Sequence, residues 1–165
     1  MKRLIATILF ALLLCGCSVN ADQDANTVTF YYCAAAEQFD SQTGVLSGES
    51  VKIDGSESLE ALLTQYLKGP AKENFVSPFP AGTELLELST DGDTTIVTLS
   101  RNFLSLTGID RSVACACLAE TVFELTGSQA VTILSGESTS PNKLHLTISA
   151  DAIKLIDDTT IPQEG

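Results

Sequence analysis

The spacing of apolar positions changes along the chain, and each spacing predicts a different element. The first apolar run covers residues 4–14, follows Lys2 and Arg3, and gives way to polar residues from Ser18 onward. A positive start, a short apolar segment and a polar continuation are typical of a secretory signal. A membrane-spanning helix needs roughly 20 apolar residues, which is more than this run supplies. The pattern therefore favours export over a permanent transmembrane anchor.

The end of the apolar run carries the sequence Leu14-Cys15-Gly16-Cys17, which is typical of a bacterial lipobox. Small Gly16 precedes Cys17, whereas bulky Leu14 precedes Cys15, so Cys17 is the predicted lipid site. An ordinary signal would usually end in an Ala-x-Ala pattern, which is not found there. We therefore predict a signal peptide at residues 1–16. Residues 17–26 are predicted to comprise Cys17, which carries a lipid such as palmitate, and a polar tether. This places the protein extracytoplasmically, on the outer face of the cell membrane.

Two later segments have the three- and four-residue spacing of amphipathic helices. The first runs to a stop at Gly69-Pro70, and the second covers roughly residues 110–125 with a stop at Gly127. On the second helix, Cys115 falls outside the predicted core stripe. The predicted stripe positions are Leu59, Leu62, Leu63, Tyr66 and Leu67 on the first helix, and Ala114, Leu118, Val122 and Leu125 on the second.

Alternating and β-branched stretches predict the strands. Residues 27–34 and 130–134 are β-branched and apolar, Leu144, Leu146 and Ile148 alternate, and residues 84–100 have the pattern of a hairpin.

A two-residue turn at Asp91-Gly92, of type I′, is predicted for this hairpin. That turn sets Leu88 opposite Thr95 and Leu86 opposite Val97. It also gives the sheet one apolar and one polar face, the apolar face being formed by Leu86, Leu88, Val97 and Leu99 and the polar face by Glu87, Ser89, Ile96 and Thr98.

These elements predict a single α/β (α+β) domain at 27–156. An antiparallel or mixed sheet of four to six strands carries two helices on one face, and residues 157–165 form a polar tail.

Charge and composition narrow the possible functions. The chain has 9 basic and 21 acidic residues and a net charge of −12, and loss of Lys2 and Arg3 with the signal makes it more acidic. Nucleic-acid binding needs Lys and Arg against phosphates, so no nucleic-acid partner is expected. His145 is the only histidine and occupies an outward strand position. No catalytic residue, metal ligand or cofactor site is therefore predicted, and the protein is not expected to be an enzyme.

The cysteines leave two alternatives open. Cys33, Cys115 and Cys117 remain after the signal and lipid site are set aside. The one-residue spacing of Cys115 and Cys117 does not fit a zinc or redox motif. An extracytoplasmic setting permits a disulfide from Cys33 to either of the other two. Three buried thiols are the other interpretation.

In motif order, the chain resembles the GerMN domain, the sporulation and spore-germination domain of bacterial lipoproteins. The resemblance covers residues 27 to about 136, and the alanine–cysteine stretch at 114–117 departs from it. It implies a small α/β domain related to ring-building motifs that acts in envelope assembly without catalysis. The stretches that carry it are TVTFYY at 27–32, residues 59–63 with Lys68-Gly69-Pro70, residues 79–86, the Asp91-Gly92 hairpin, residues 97–103 and residues 121–125.

We therefore expect a non-enzymatic scaffold or protein-interaction module, held by the lipid on Cys17, with a protein partner in the envelope. Contact through a sheet face or strand edge is expected. Phe30, Tyr31 and Tyr32 are the candidate contact residues, although core packing accounts for most of that cluster. The alternatives are a binding module for a cell-wall or small ligand, and a hydrolase that would use His145.

Overall fold

The computed structural model describes residues 26–35, 45–136 and 143–152. The predicted signal peptide, the lipid site at Cys17, the end of the domain at 156 and the tail at 157–165 lie outside these residues. The described elements, in chain order, are β1 (Thr27–Ala34), β2 (Leu46–Lys52), α1 (Leu59–Leu67), β3 (Phe75–Val76), β4 (Leu85–Asp91), β5 (Thr94–Leu99), a 3₁₀ helix (Arg101–Ser105), α2 (Gly108–Thr126), β6 (Ala130–Ser135) and β7 (Leu144–Ser149).

The strands form two sheets. The first has the order β2-β1-β3 and is antiparallel, and the second has the order β4-β5-β6-β7. Within the second sheet β5 and β6 are parallel, and the two outer pairs are antiparallel. Helix α2 lies between β5 and β6 in the chain, as a parallel crossover requires. The predicted α+β class is confirmed, with the strands divided between two sheets.

Helix α1 follows its apolar stripe. Leu62, Leu63 and Tyr66 are buried, and the Ser58 side chain accepts a hydrogen bond from the Ala61 N–H at 3.2 Å. That bond satisfies one of the amide groups left without a partner at a helix N-terminus. Gly69 after the helix has φ +101°, a conformation that a side chain would oppose.

Helix α2 is buried over a wider arc than its sequence predicts. Its buried residues include Cys115 and Ala119, and they span about 200° of the circumference at roughly 100° per residue. The helix contacts β1 of the first sheet and β6 of the second, so it has two buried sides. The expectation that Cys115 lies off the core was wrong for this reason.

The β4–β5 hairpin forms, but its register differs from the prediction. Asp91 pairs with Thr94, so the turn residues are Gly92 and Asp93. Only Gly92 has positive φ (+57°), which is the glycine placement of a type II′ turn. Leu88 therefore lies opposite Val97.

The apolar face of the hairpin also differs by one residue. A bulge between Leu85 and Glu87 shifts the register, and Leu86 is 61 % exposed. Leu85 lies opposite Leu99 and takes the inward place that the pattern assigned to Leu86. An extra residue in one strand reverses the alternation beyond it.

Candidate functional site

Phe30 and Tyr32, two of the three predicted contact residues, lie in the core. Each is 1 % exposed, and both rings pack on Tyr66 of α1, with ring centroids 5.3 Å and 5.0 Å from the Tyr66 centroid. The Tyr32 hydroxyl donates to the Tyr66 carbonyl at 3.0 Å. A buried tyrosine needs such a partner for its hydroxyl, and this one ties β1 to the end of α1.

Tyr31 is placed differently from its neighbours. Its backbone N–H donates to Thr121 Oγ1 at 2.9 Å, and its carbonyl accepts from the Tyr66 hydroxyl at 2.7 Å. Two helix side chains thus occupy the strand edge at Tyr31, where an added strand would otherwise bind. The Tyr31 side chain is half-buried; its pKa is raised by burial and then by the charges of Glu124 and Glu120. Among the three predicted contact residues, this ring offers the most accessible surface.

The β4-β5-β6-β7 sheet has one buried face and one open face. Val97, Leu99, Val131 and Ile133 point inward and are fully buried. The opposite positions are half-buried or exposed, except Thr132, which is held by a 2.9 Å contact between its hydroxyl and that of Thr147. We call these opposite positions the open face: Glu87, Ser89, Asp91, Thr94, Ile96, Thr98, Ala130, Thr132, Leu134, His145, Thr147 and Ser149.

The open face is rich in hydroxyl groups and confirms the polar face predicted for the hairpin, with Glu87, Ser89, Ile96 and Thr98 all on it. His145 is exposed at an outward position on β7 opposite Leu134, as the alternation predicts. The outer strands β4 and β7 pair on one side only within the described residues. An exposed edge beside a polar face suits contact with another protein.

A groove of about 780 Å³ lies between the end of α1 and the segment that leads into β4. Buried Phe79 contributes to its wall, and the Lys68 and Glu84 side chains bring opposite charges to its lining. Asn102 Nδ2 donates to the carbonyls of Gly82 and Ala81, at 2.7 Å and 3.3 Å, and fixes the segment. The volume is within the range of about 300–1,000 Å³ seen for ligand sites.

Glu49 is a buried acid that the sequence did not reveal. It lies on β2 opposite Phe30 and is 2 % exposed. Its carboxylate accepts hydrogen bonds from the backbone N–H groups of Lys72 at 3.0 Å and Ala71 at 3.2 Å. These bonds hold the loop that follows α1 against the first sheet. In the sequence, Glu49 lies between Gly48 and Ser50 and resembles an ordinary solvent-facing acid, so no local pattern indicates its burial.

Two features of the described residues concern metal sites and membrane-spanning helices. Within those ranges, no three His, Cys, Asp or Glu side chains are grouped so as to bind a metal ion. None of the helices described there has the length and apolar character needed to cross a membrane.

Most of this fold matches the model of a known protein family. Residues 29–139 match the model of the family Germane, described as "Sporulation and spore germination". The chain belongs to the Germane family. This confirms the resemblance carried by the strand, helix and hairpin motifs.

Two segments of this Germane domain on which the resemblance rested, at the end of α1 and at 79–86, contribute to the groove lining.

The crystal structure of a "Putative Lipoprotein from Clostridium perfringens" is also similar. It covers 76% of this chain and 87% of that chain, with 16% sequence identity and a TM-score of 0.44. At these values the similarity carries no functional information. No curated protein matches the chain.

Proposed function

We propose that this Germane protein is a non-enzymatic envelope lipoprotein that acts in sporulation or germination by binding another protein. The observation that carries the proposal is the open face of the β4-β5-β6-β7 sheet. Its reverse side is buried in the core along the central strands β5 and β6, whereas hydroxyl side chains of the open face and two outer strands remain accessible. Family membership supplies the biological context.

The open face is suited to a partner that brings its own polar groups. Its threonine and serine hydroxyls donate and accept hydrogen bonds. Two apolar residues, Ile96 and Leu134, lie at outward positions on the central strands β5 and β6. Central apolar contacts surrounded by polar ones are the usual arrangement of a protein interface. In the first sheet, helix side chains occupy the edge of β1 at Tyr31, so a partner strand is blocked there.

The membrane location is tested by changing Cys17. In the proposed lipoprotein, Cys17→Ala abolishes acylation and moves the protein from the membrane pellet to the soluble fraction. Cys15→Ala is the matched control and should leave the protein in the pellet. Fractionation with a fatty-acid label measures both variants. A Cys17→Ala protein that stays membrane-bound, even with Cys15 also changed, contradicts the proposal.

The contact surface is tested with Thr98→Lys on β5, the strand that pairs with β4 and β6. A long cation there should block a close-fitting partner without disturbing the buried core. Ser112→Lys, on an exposed position of α2, is the matched control. In the native host, we expect Thr98→Lys to reproduce the sporulation or germination defect of a gene deletion, and Ser112→Lys to behave as wild type. If Thr98→Lys supports normal spores while the deletion does not, the open face is not the contact surface.

The groove beside α1 supports a second candidate, a binding module for a cell-wall fragment or small ligand. Its volume and its mixed lining of Phe79, Lys68 and Glu84 fit such a ligand. Purified muropeptides should then raise the melting temperature in proportion to the logarithm of their concentration above the dissociation constant. Lys68→Glu should abolish that shift. Absence of any shift at millimolar muropeptide excludes these ligands.

A further inference from the structure

The alignment of β1 against α2 brings two cysteines together. Tyr31 N–H bonds to Thr121 Oγ1 at 2.9 Å. Cys33 is two residues after Tyr31, a step of about 6.6 Å along a strand. Cys117 is four residues before Thr121, a step of about 6 Å along a helix. The same alignment therefore sets Cys33 beside Cys117. This placement agrees with the pKa of each thiol, which is shifted by the other acting as a hydrogen-bond partner, and both cysteines are free in the structure.

We propose that Cys33 and Cys117 are a disulfide-forming site that links β1 to α2 covalently. The sequence leaves Cys115 and Cys117 as possible partners of Cys33. The structure favours Cys117, because Cys115 lies about 200° around the helix from it. Cys115 is buried, and burial raises the pKa of its thiol to about 11. A thiol that stays protonated at neutral pH is a poor nucleophile.

The environment of the pair assigns a role to each sulfur. The hydrogen bond from Cys117 holds the pKa of the Cys33 thiol below its ordinary value, and the same bond, together with burial, raises the pKa of Cys117. Cys33 is also the more accessible of the two, since it is half-buried and Cys117 is fully buried. Cys33 is therefore the attacking thiolate, and Cys117 is the thiol that closes the bond.

The reaction needs an oxidant that is itself a disulfide, such as an envelope thiol–disulfide oxidoreductase or glutathione disulfide. The Cys33 thiolate attacks one sulfur of that disulfide and releases the other as a thiolate. The released thiolate takes the proton of Cys117, whose sulfur attacks Cys33 Sγ and expels the second thiolate. The protein dithiol loses two electrons, and one oxidant disulfide becomes two thiols. In the cell, this step rests on the extracytoplasmic location proposed above, because the cytosol keeps thiols reduced.

The geometry is tested on the full chain purified in detergent and equilibrated with glutathione and its disulfide. Mass spectrometry of a non-reduced tryptic digest should show the Cys33 peptide linked to the peptide that contains Cys117. Cys115 and Cys117 share one tryptic peptide, since no Lys or Arg lies between them. Cys115→Ser should therefore keep the link, while Cys33→Ser and Cys117→Ser lose it. No link in the wild type, or a link lost on Cys115→Ser, overturns the proposal.

Two further measurements test the cross-link and the cellular location of the protein separately. The oxidised protein should melt about 10 °C above the reduced protein, a difference absent in Cys33→Ser. Protein taken from the envelope fraction of acid-quenched cells should carry the same link. A reduced protein in that fraction overturns the disulfide in the cell, even where the purified chain forms it. A protein absent from the envelope fraction contradicts the proposed location, and the glutathione equilibration alone then decides the pairing.

Discussion

The two sheets of this domain differ in how their strands are covered. Strand β1 of the first sheet pairs with β2, packs its rings on α1, and has its Tyr31 backbone groups bound by Thr121 and Tyr66. The second sheet is covered on one face only, and its other face presents a layer of hydroxyl groups. Aromatic residues thus mark the covered strand β1, whereas small polar residues mark the second, open sheet.

This difference bears on where contact takes place. Aromatic side chains are often enriched at interfaces, and that statistic draws attention to the aromatic run of β1. Here, Phe30 and Tyr32 are needed to build the core beside Tyr66. The accessible surface is formed instead by side chains that resemble an ordinary polar strand face in the sequence.

The largest expected effect is on the core that α1 forms with the covered strand β1. Tyr66→Ala removes a fully buried ring that contacts Phe30, Tyr32 and Phe79, and it also removes the hydrogen bond to the Tyr31 carbonyl. Loss of a buried aromatic side chain lowers the free energy of unfolding by about 3–5 kcal/mol. Urea denaturation measures this change.

Leu86→Ala on β4 is the matched control from the open sheet. Because Leu86 is 61 % exposed, its truncation should change the free energy of unfolding by less than about 0.5 kcal/mol. Equal losses for the two variants would show that the sheets do not differ in the way described.

Local periodicity was enough to predict α1 and the class of the fold. The stripe through Leu62, Leu63 and Tyr66 is buried as predicted, because that helix has one buried side. The same reasoning failed for Cys115, since α2 contacts both sheets and a single stripe does not describe it.

Other features depend on contacts that are distant in the chain. Glu49 is buried because the backbone of residues 71–72 folds over it, and the parallel pairing of β5 with β6 has no local signature. The bulge at Leu86 needs one extra residue in a strand, which the alternation itself did not reveal.

A smaller effect is expected at the hairpin of the open sheet. Gly92 has φ +57°, and no atom outside Gly92 and its two chain neighbours lies within 4 Å of the place where a Cβ would be added. Gly92→Val therefore acts through the backbone alone and should cost about 1 kcal/mol or more, because a β-branched residue opposes positive φ. Asp91→Val, at the adjacent exposed strand position, should cost less than about 0.5 kcal/mol. Equal melting temperatures for the two variants contradict the turn at Gly92-Asp93.

The smallest effect concerns the acidic side of α2 beside Tyr31. Burial, followed by the charge of Glu124, raises the pKa of the Glu120 carboxyl above its ordinary value. Ionisation of Glu120 therefore favours the unfolded chain, and this destabilising contribution develops as pH rises through the folded-state pKa. Glu120→Gln removes it and should stabilise the protein at pH 7 by less than about 0.5 kcal/mol, as expected for one like-charge pair four residues apart.

The pH dependence tests the origin of that gain. Below the unfolded-state pKa of a glutamate, about 4.3, both chain states are protonated and the contribution of ionisation disappears. Urea denaturation at pH 7 and at pH 3.5 should show the gain at the higher pH alone. Glu87→Gln on the open face is the control and should behave as wild type at both pH values. A gain that persists at pH 3.5 would mean that the amide packs better than the acid, and that charge beside Tyr31 is not the cause.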